Sequence, residues 1–144
     1  MINEDTIKLL RECDSGIKMG LKAIEEVIDE VHSEELKKCL QKCRENHERL
    51  KNEINILLDE YKDKGKEPNF LLKSMSWLKT NMEMEINDSD ENIADILTDG
   101  CNMGIKSLNH FLNKYKEADE KSKDITKKLI NEEQQLLLGM RDFL

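Results

Sequence analysis

The stretch from Tyr61 to Asn92, YKDKGKEPNFLLKSMSWLKTNMEMEINDSDEN, decides how this chain folds. Gly65 is typical of the end of a helix, and Pro68 is typical of the start of the next one. Beyond Pro68, apolar residues recur at helical spacing, which predicts an amphipathic helix over residues 68–87. Its predicted apolar face comprises Leu71, Met75, Leu78, Met82 and Ile86.

The residues before this stretch predict a helical hairpin over residues 3–64. Asn3 and Ser33 are residue types that cap helices, and the break at His32–Ser33 is short enough to make the two helices antiparallel neighbours. Apolar side chains follow each helix at steps of three or four residues, with a few polar interruptions. The first stripe is Ile7, Leu10, Asp14, Ile17, Leu21, Ile24, Ile28 and Val31, and the second is Leu36, Leu40, Cys43, His47, Leu50, Ile54, Leu57 and Tyr61.

The residues after the stretch predict a second hairpin, over residues 89–143. Asp88 with Glu91 resembles a capping box, and Asp119 is a cap residue for the last helix. The first helix of this hairpin has two possible stripes, one of Leu97, Cys101, Gly104, Leu108, Phe111 and Tyr115 and another of Ile93, Ile96, Gly100 and Met103. The stripe of its second helix is Ile125, Leu129, Glu132, Leu136, Gly139 and Phe143.

The length of the connection between the hairpins predicts the topology. The first helix should span roughly 40 Å at about 1.5 Å per residue, and a helix over residues 68–87 is long enough to cross most of that length. The third bundle helix would then run parallel to the second, as in ferritin-like folds. We therefore expect an all-α, ferritin-like four-helix bundle with a crossover helix, forming one domain over residues 1–144.

The composition limits the partners and the compartment. The formal net charge is −8 at pH 7, and basic residues are interleaved with acidic ones, which argues against a nucleic-acid partner because phosphate binding depends on clustered Lys and Arg. No apolar run is as long as a membrane span, and the N-terminus MINEDTIK has no apolar signal core. We expect a cytoplasmic protein with reduced cysteines and no membrane partner.

Three strings carry a resemblance to a known superfamily: ECDSGIKMG at 12–20, MSWLKT at 75–80 and DGCNMGIKSL at 99–108. Through them the chain resembles the ferritin-like superfamily, and most closely small bundle proteins of anaerobic Firmicutes whose activity is unassigned. The resemblance covers essentially the full chain and implies a fold without implying a reaction.

Polar residues interrupt the apolar stripes and mark the candidate site. A ferritin-like di-metal centre needs a Glu from each of two helices and a Glu-x-x-His from each of the other two. Only Asp14, His47 and Glu132 are candidates, because Arg44 stands three residues before His47 and Gln135 stands three residues after Glu132.

A single zinc or iron ion needs fewer ligands. Cys43 and His47, four residues apart, can chelate from one helix face. Asp14 or Glu132 would complete the site, with Cys13 and Cys101 as further possible ligands. The competing interpretation makes Cys43 and Cys101 small packing groups and His47 a core imidazole hydrogen-bonded to Asp14 or Glu132.

The sequence contains no recognisable catalytic group. No serine or cysteine has an identifiable base and orienting acid, so we expect no hydrolase. Gly16, Gly20, Gly100 and Gly104 predict close packing of helices rather than a phosphate loop, because no strand precedes them. The pattern favours a non-catalytic binding or scaffold protein over a metalloprotein or a helical adaptor for protein partners.

The predicted crossover helix also carries a candidate interaction surface. Met75, Trp77 and Met82 form either its buried underside or an exposed patch for a homodimer or another protein. The spacing of three and four residues favours the buried arrangement.

Overall fold

The computed structural model describes residues 3–66 and 89–144, and these residues form four long helices and no strand. The helices are α1 (Glu4–Val27), α2 (Glu34–Glu60), α3 (Asp90–Lys114) and α4 (Glu120–Met140). Short 3-10 turns follow α1 at Ile28–Glu30 and α4 at Arg141–Phe143. The all-α prediction is confirmed for the described residues.

Side-chain caps start the four helices where local chemistry predicts them. Asn3, Ser33 and Asp119 accept hydrogen bonds from backbone N–H groups three residues further on, as predicted. The start of α3 was predicted one residue too early. Ser89 caps it by accepting from the backbone N–H of Asn92 at 3.1 Å, and the helix begins at Asp90.

Contacts between helices define their directions. Ser33 and His32 donate backbone hydrogen bonds to Asp90, so α2 and α3 begin at the same end of the bundle. At the other end, Arg11 of α1 pairs with Asp63, which follows α2, so α1 and α2 are antiparallel. Because Leu108 lies beside Gly16 while Asp90 lies beyond the end of α1, α3 is also antiparallel to α1. Consequently α2 and α3 run in the same direction.

Helices α1 and α4 run parallel with a constant register. Thr6 bonds to Asp119, Cys13 contacts Thr126, and Gly20 lies beside Glu133, each pair being 113 residues apart. The predicted crossover helix, with Met75, Trp77 and Met82, lies outside the described residues. The homodimer or partner surface that was expected there stays a prediction.

Two apolar clusters fill the bundle, one toward each end, and they consist largely of the predicted stripes. The stripes of α1 and α2 are buried except for Ile7 and Tyr61, which are partly exposed. The first cluster includes Ile24, Val27, Leu36, Leu40, Ile93, Leu97, Leu136 and Met140. The second includes Leu10, Ile17, Leu50, Ile54, Leu108, Ile125, Leu129 and Ile130.

The stripe predicted for α4 was wrong at two positions. Glu133 is 8 % exposed, whereas Glu132 is only partly buried, and Met140 replaces Gly139 in the core. The buried face of α4 also includes Ser122, Thr126 and Ile130, so its centre is rotated from the predicted line toward Glu133. None of the described helices has the length and apolar character that crossing a bilayer requires.

Candidate functional site

One polar layer separates the two apolar clusters, and each helix contributes to it: Gly20 from α1, His47 from α2, Gly104 from α3 and Glu133 from α4. A Cβ atom on Gly20 would lie 2.9 Å from Cδ2 of His47. On Gly104 it would lie 3.5 Å from Oε2 of Glu133. Glycine at position 20 is therefore what allows α1 to pass the imidazole.

His47 and Glu133 form a buried pair at the centre of this layer. His47 is fully buried, and its Nε2 lies 2.9 Å from Oε1 of Glu133. Its Nδ1 donates to the backbone carbonyl of Cys43 at 2.7 Å. Because both ring nitrogens face oxygen acceptors, the pair must hold a proton between Nε2 and Oε1 as well as the one on Nδ1.

The pKa of His47 reflects two opposing effects. Burial alone lowers the pKa, because it penalises the charged imidazolium. The hydrogen bond and negative charge of Glu133 raise it, and the Cys43 carbonyl and Glu132 add to that effect. The result is a pKa above the ordinary value of 6.5. The hydrogen bond and charge of Glu133 thus outweigh the effect of burial, and they favour the charged form of His47.

Two thiols, those of Cys43 and Cys101, adjoin the pair, and a third, that of Cys39, is hydrogen-bonded to Cys43. Burial raises the pKa of Cys101 strongly, and the charge of Glu133 and a hydrogen bond to it add to the rise. The pKa of Cys43 is raised by its hydrogen bond to Cys39 and by burial. That same hydrogen bond lowers the pKa of half-buried Cys39 to about 7. Cys39 is thus the thiol with the greatest thiolate character of the three.

The structure places the predicted ligand Asp14 outside the polar layer. Its carboxylate is buried and contacts the Lys18 Nζ at 2.9 Å and the backbone N–H of Lys66 at 3.1 Å. The residue of α1 beside His47 is instead Gly20, six positions along and hence about 9 Å away along the helix. Asp14 holds the backbone that follows α2.

The other predicted ligands lie in three different places. Cys43 and Cys101 adjoin the His47–Glu133 pair. Glu132 faces sideways and accepts a hydrogen bond from Asn46 Nδ2 at 3.2 Å. Cys13 is buried elsewhere against the Thr126 hydroxyl at 3.1 Å, where burial raises its pKa to about 12.

This arrangement does not fit the di-metal centre that the ferritin-like resemblance implies. The layer has one histidine, and both of its ring nitrogens are already hydrogen-bonded. Over residues 3–66 and 89–144, no group of three or more His, Cys, Asp or Glu side chains is arranged to hold a metal ion. The single-metal site stays a prediction.

The interpretation of His47 as a hydrogen-bonded core imidazole is confirmed, but neither predicted partner was right. The partner is Glu133 rather than Asp14 or Glu132. The sequence did contain a signal for Glu133: Thr126 and Ile130 widen the apolar face of α4 toward it. A stripe drawn as single residues misses that broadening.

A cleft between α1 and α3 opens above this layer. It has a volume of ≈ 90 Å³, and Glu133 lies at its base. Its apolar walls include Met19, Ile24, Leu97, Met103, Leu108 and Phe111. The carboxylate of Glu12 adjoins it, and no Lys, Arg or His is among the described residues that line it.

Glycines create this cleft. Gly16, Gly20, Gly100 and Gly104 all line it. A Cβ atom on Gly16 would lie 3.9 Å from its nearest neighbour, Leu108, and one on Gly100 would have no neighbour within 4 Å among residues 3–66 and 89–144. Close helix packing, as predicted, is confirmed at Gly20. At Gly16 a Cβ would make only ordinary contacts, and at Gly100 the described residues leave open space.

Within the described residues, the fold and the site define an all-α four-helix protein with a buried imidazole–carboxylate pair beneath an apolar cleft. No protein-family model, curated protein or solved structure matches this chain. What the chain does must therefore be argued from its own geometry.

Proposed function

We propose that this chain is a ferritin-like bundle that acts as a non-catalytic binding protein, with the α1–α3 cleft as its ligand site. The parallel course of α2 and α3 supports the ferritin-like arrangement, since a long crossover between two hairpins produces that topology. The cleft carries the functional part of the proposal. An apolar pocket with a few convergent polar groups is the usual form of a small-molecule site.

The dimensions of the cleft favour a small ligand or one end of a larger one. Its ≈ 90 Å³ exceeds the about 10–15 Å³ that one ordered water needs. It is smaller than a cavity of about 150 Å³ that holds benzene. The cleft is also bordered by exposed residues, Gly100 and Met103, so a ligand can extend from it into solvent.

A variant that fills the cleft tests this function. Gly104→Leu should fill the space over Glu133 and keep the fold, because a Cβ at Gly104 meets only ordinary contacts and Leu favours helix over Gly. Asn102→Leu is the matched control, since Asn102 is exposed on the same helix and does not line the cleft. The probe is benzyl alcohol, followed by saturation-transfer NMR.

We expect the parent protein and Asn102→Leu to bind the probe and Gly104→Leu to bind it at least about tenfold more weakly, because the space it needs is lost. Failure of the parent protein to bind, or equal binding by Gly104→Leu, would overturn the proposal. With the cleft empty, Gly104→Leu should raise the free energy of unfolding, because Leu favours the helix over Gly. A lower free energy of unfolding in this variant would mean that another part of the chain already fills the cleft.

A zinc or iron site is the second candidate function. Its ligands would be the thiols of Cys43 and Cys101 and the imidazole of His47, and a metal would have to replace the hydrogen bonds that these groups now make. Elemental analysis of protein purified without tags or chelators, alongside His47→Ala, distinguishes it from the ligand cleft. A stoichiometric metal that is lost in the variant would favour the metal site.

A further inference from the structure

We infer that the cleft selects ligands with an apolar body and a single positive charge, the class of alkyl- and arylmethylamines. This inference rests on the proposed function and deepens it by assigning the charge of the ligand. It depends on the carboxylate at the base of the cleft, on the absence of cations among its described lining residues, and on the character of its walls.

The charged residues among the described lining of the cleft are all acidic. Glu12 and Glu133 are the charged residues among those that line it. Their basic partners, Lys66 at 2.6 Å from Glu12 and His47 at 2.9 Å from Glu133, are not among the lining residues. A ligand in the cleft therefore lies next to acidic residues and has no basic residue beside it among the described lining residues. An anionic ligand is repelled there, whereas an ammonium group is attracted.

Glu133 has hydrogen-bonding capacity left for such a group. An ionised carboxylate offers about four acceptor sites. His47 uses one on Oε1, and the Cys101 thiol is a second partner. Oε2 lies 3.5 Å from where a Cβ of residue 104 would stand, so glycine at that position places no side chain against this oxygen. An ammonium donor would make a charge-assisted hydrogen bond, which is stronger than a neutral one.

The walls suit the apolar part of the ligand. Met19 and Met103 present flexible, polarisable thioethers, and Phe111 presents a ring. Thioethers adapt to ligands of different shape and make favourable contacts with aromatic rings. Benzylamine combines a ring with one ammonium group and is a suitable probe.

Three probes of similar shape and different charge test the inference by isothermal titration calorimetry near neutral pH: benzylamine, benzyl alcohol and benzoate. We expect benzylamine to bind at least about tenfold more tightly than benzyl alcohol, and benzoate to bind more weakly than either. Glu133→Gln should weaken benzylamine binding about tenfold and change benzyl alcohol binding by less than about twofold. Glu132→Gln is the matched control, because Glu132 adjoins Glu133 but does not line the cleft.

Each outcome separates this inference from the function on which it rests. Equal binding of all three probes, or preferred binding of benzoate, would overturn the ligand class and leave the cleft as a binding site. No binding of any probe would overturn both. An equal effect of Glu132→Gln and Glu133→Gln would overturn the role of Glu133. If Glu133→Gln does not fold, the ranking of the three probes on the parent protein still decides the ligand class.

Discussion

Replacing Glu133 by Gln should destabilise the protein more in mild acid than in mild base. Gln has nearly the shape of Glu, and its amide can donate to Nε2 of a neutral His47. It cannot balance the charge of an imidazolium. Solvent screens this pair little, because the His47 side chain is fully buried and the Glu133 side chain is 11 % exposed.

The magnitude follows from the ordinary pKa of His47, 6.5. Near pH 8.5 the variant holds a neutral imidazole in both folded and unfolded states, so the exchange of one hydrogen bond costs about 1 kcal/mol. Near pH 5.5 the unfolded chain also binds a proton that the variant's buried imidazole cannot hold, which costs a further 1.4 kcal/mol or so. The total there is about 2.5 kcal/mol, rising toward 3–5 kcal/mol if the buried imidazolium stays charged without its partner.

The sign of the pH dependence should reverse between the two proteins. In the parent protein the pKa of His47 is raised, so the pair's contribution is fully present below pH 6.5 and is lost as the pH rises through the folded-state pKa. In Glu133→Gln, burial acts without the carboxylate and lowers the pKa of His47, so this group's contribution should grow as the pH rises toward neutrality. Its slope is at most about 1.4 kcal/mol per pH unit.

Urea denaturation followed by circular dichroism, under reducing conditions near pH 5.5, 7 and 8.5, measures both effects. The difference between the two proteins at each pH removes contributions that they share, including titration of Cys39, whose pKa is about 7. A loss of stability that is the same at all three pH values would refute the assignment of a buried charged pair.

Two further predictions follow from packing and thiol chemistry. Gly20→Ala should lower the free energy of unfolding by about 1–2 kcal/mol, because its Cβ would lie 2.9 Å from the buried ring of His47. Gly16→Ala should raise it by about 0.5–1 kcal/mol, because Ala favours the helix over Gly. Thermal melts compare the two variants, and a stabilised Gly20→Ala would contradict the geometry. At neutral pH, Cys39 should react with a disulfide reagent such as dithiobis(nitrobenzoate) much faster than Cys13, because their pKa values are about 7 and about 12 and Cys13 is fully buried. Mass spectrometry identifies the modified thiol. Faster modification of Cys13 would contradict the prediction and show that the bundle opens locally there.

Much of the architecture could be predicted because its causes are local. Asn3, Ser33 and Asp119 cap helices through hydrogen bonds that span only three residues. The stripes of α1 and α2 follow from the helical period, and they include His47 as a core position. The direction of α3 relative to α2 was also predictable, since it depends on the length of the connection between them.

The composition of the polar layer depended on the tertiary structure. Glu132 and Glu133 are neighbours at the edge of a broad apolar face, and the rotation of α4 against α2 decides which of them meets His47. Asp14 has the helical spacing of a core residue, but its height along α1 places it against Lys18 and Lys66.

The cleft shows most clearly which features follow from the sequence and which from the tertiary structure. The sequence by itself placed four glycines at matching spacings on α1 and α3, and local chemistry says only that each lacks a side chain. Whether a glycine allows two helices to pack closely or leaves a space between them depends on which residue of the neighbouring helix faces it. His47 stands opposite Gly20, whereas no atom of the part of the chain that the structure describes lies within 4 Å of where a Cβ of Gly100 would be. Periodicity and capping act within one helix, whereas the pairing of His47 with Glu133 and the space above it arise only when four helices pack together.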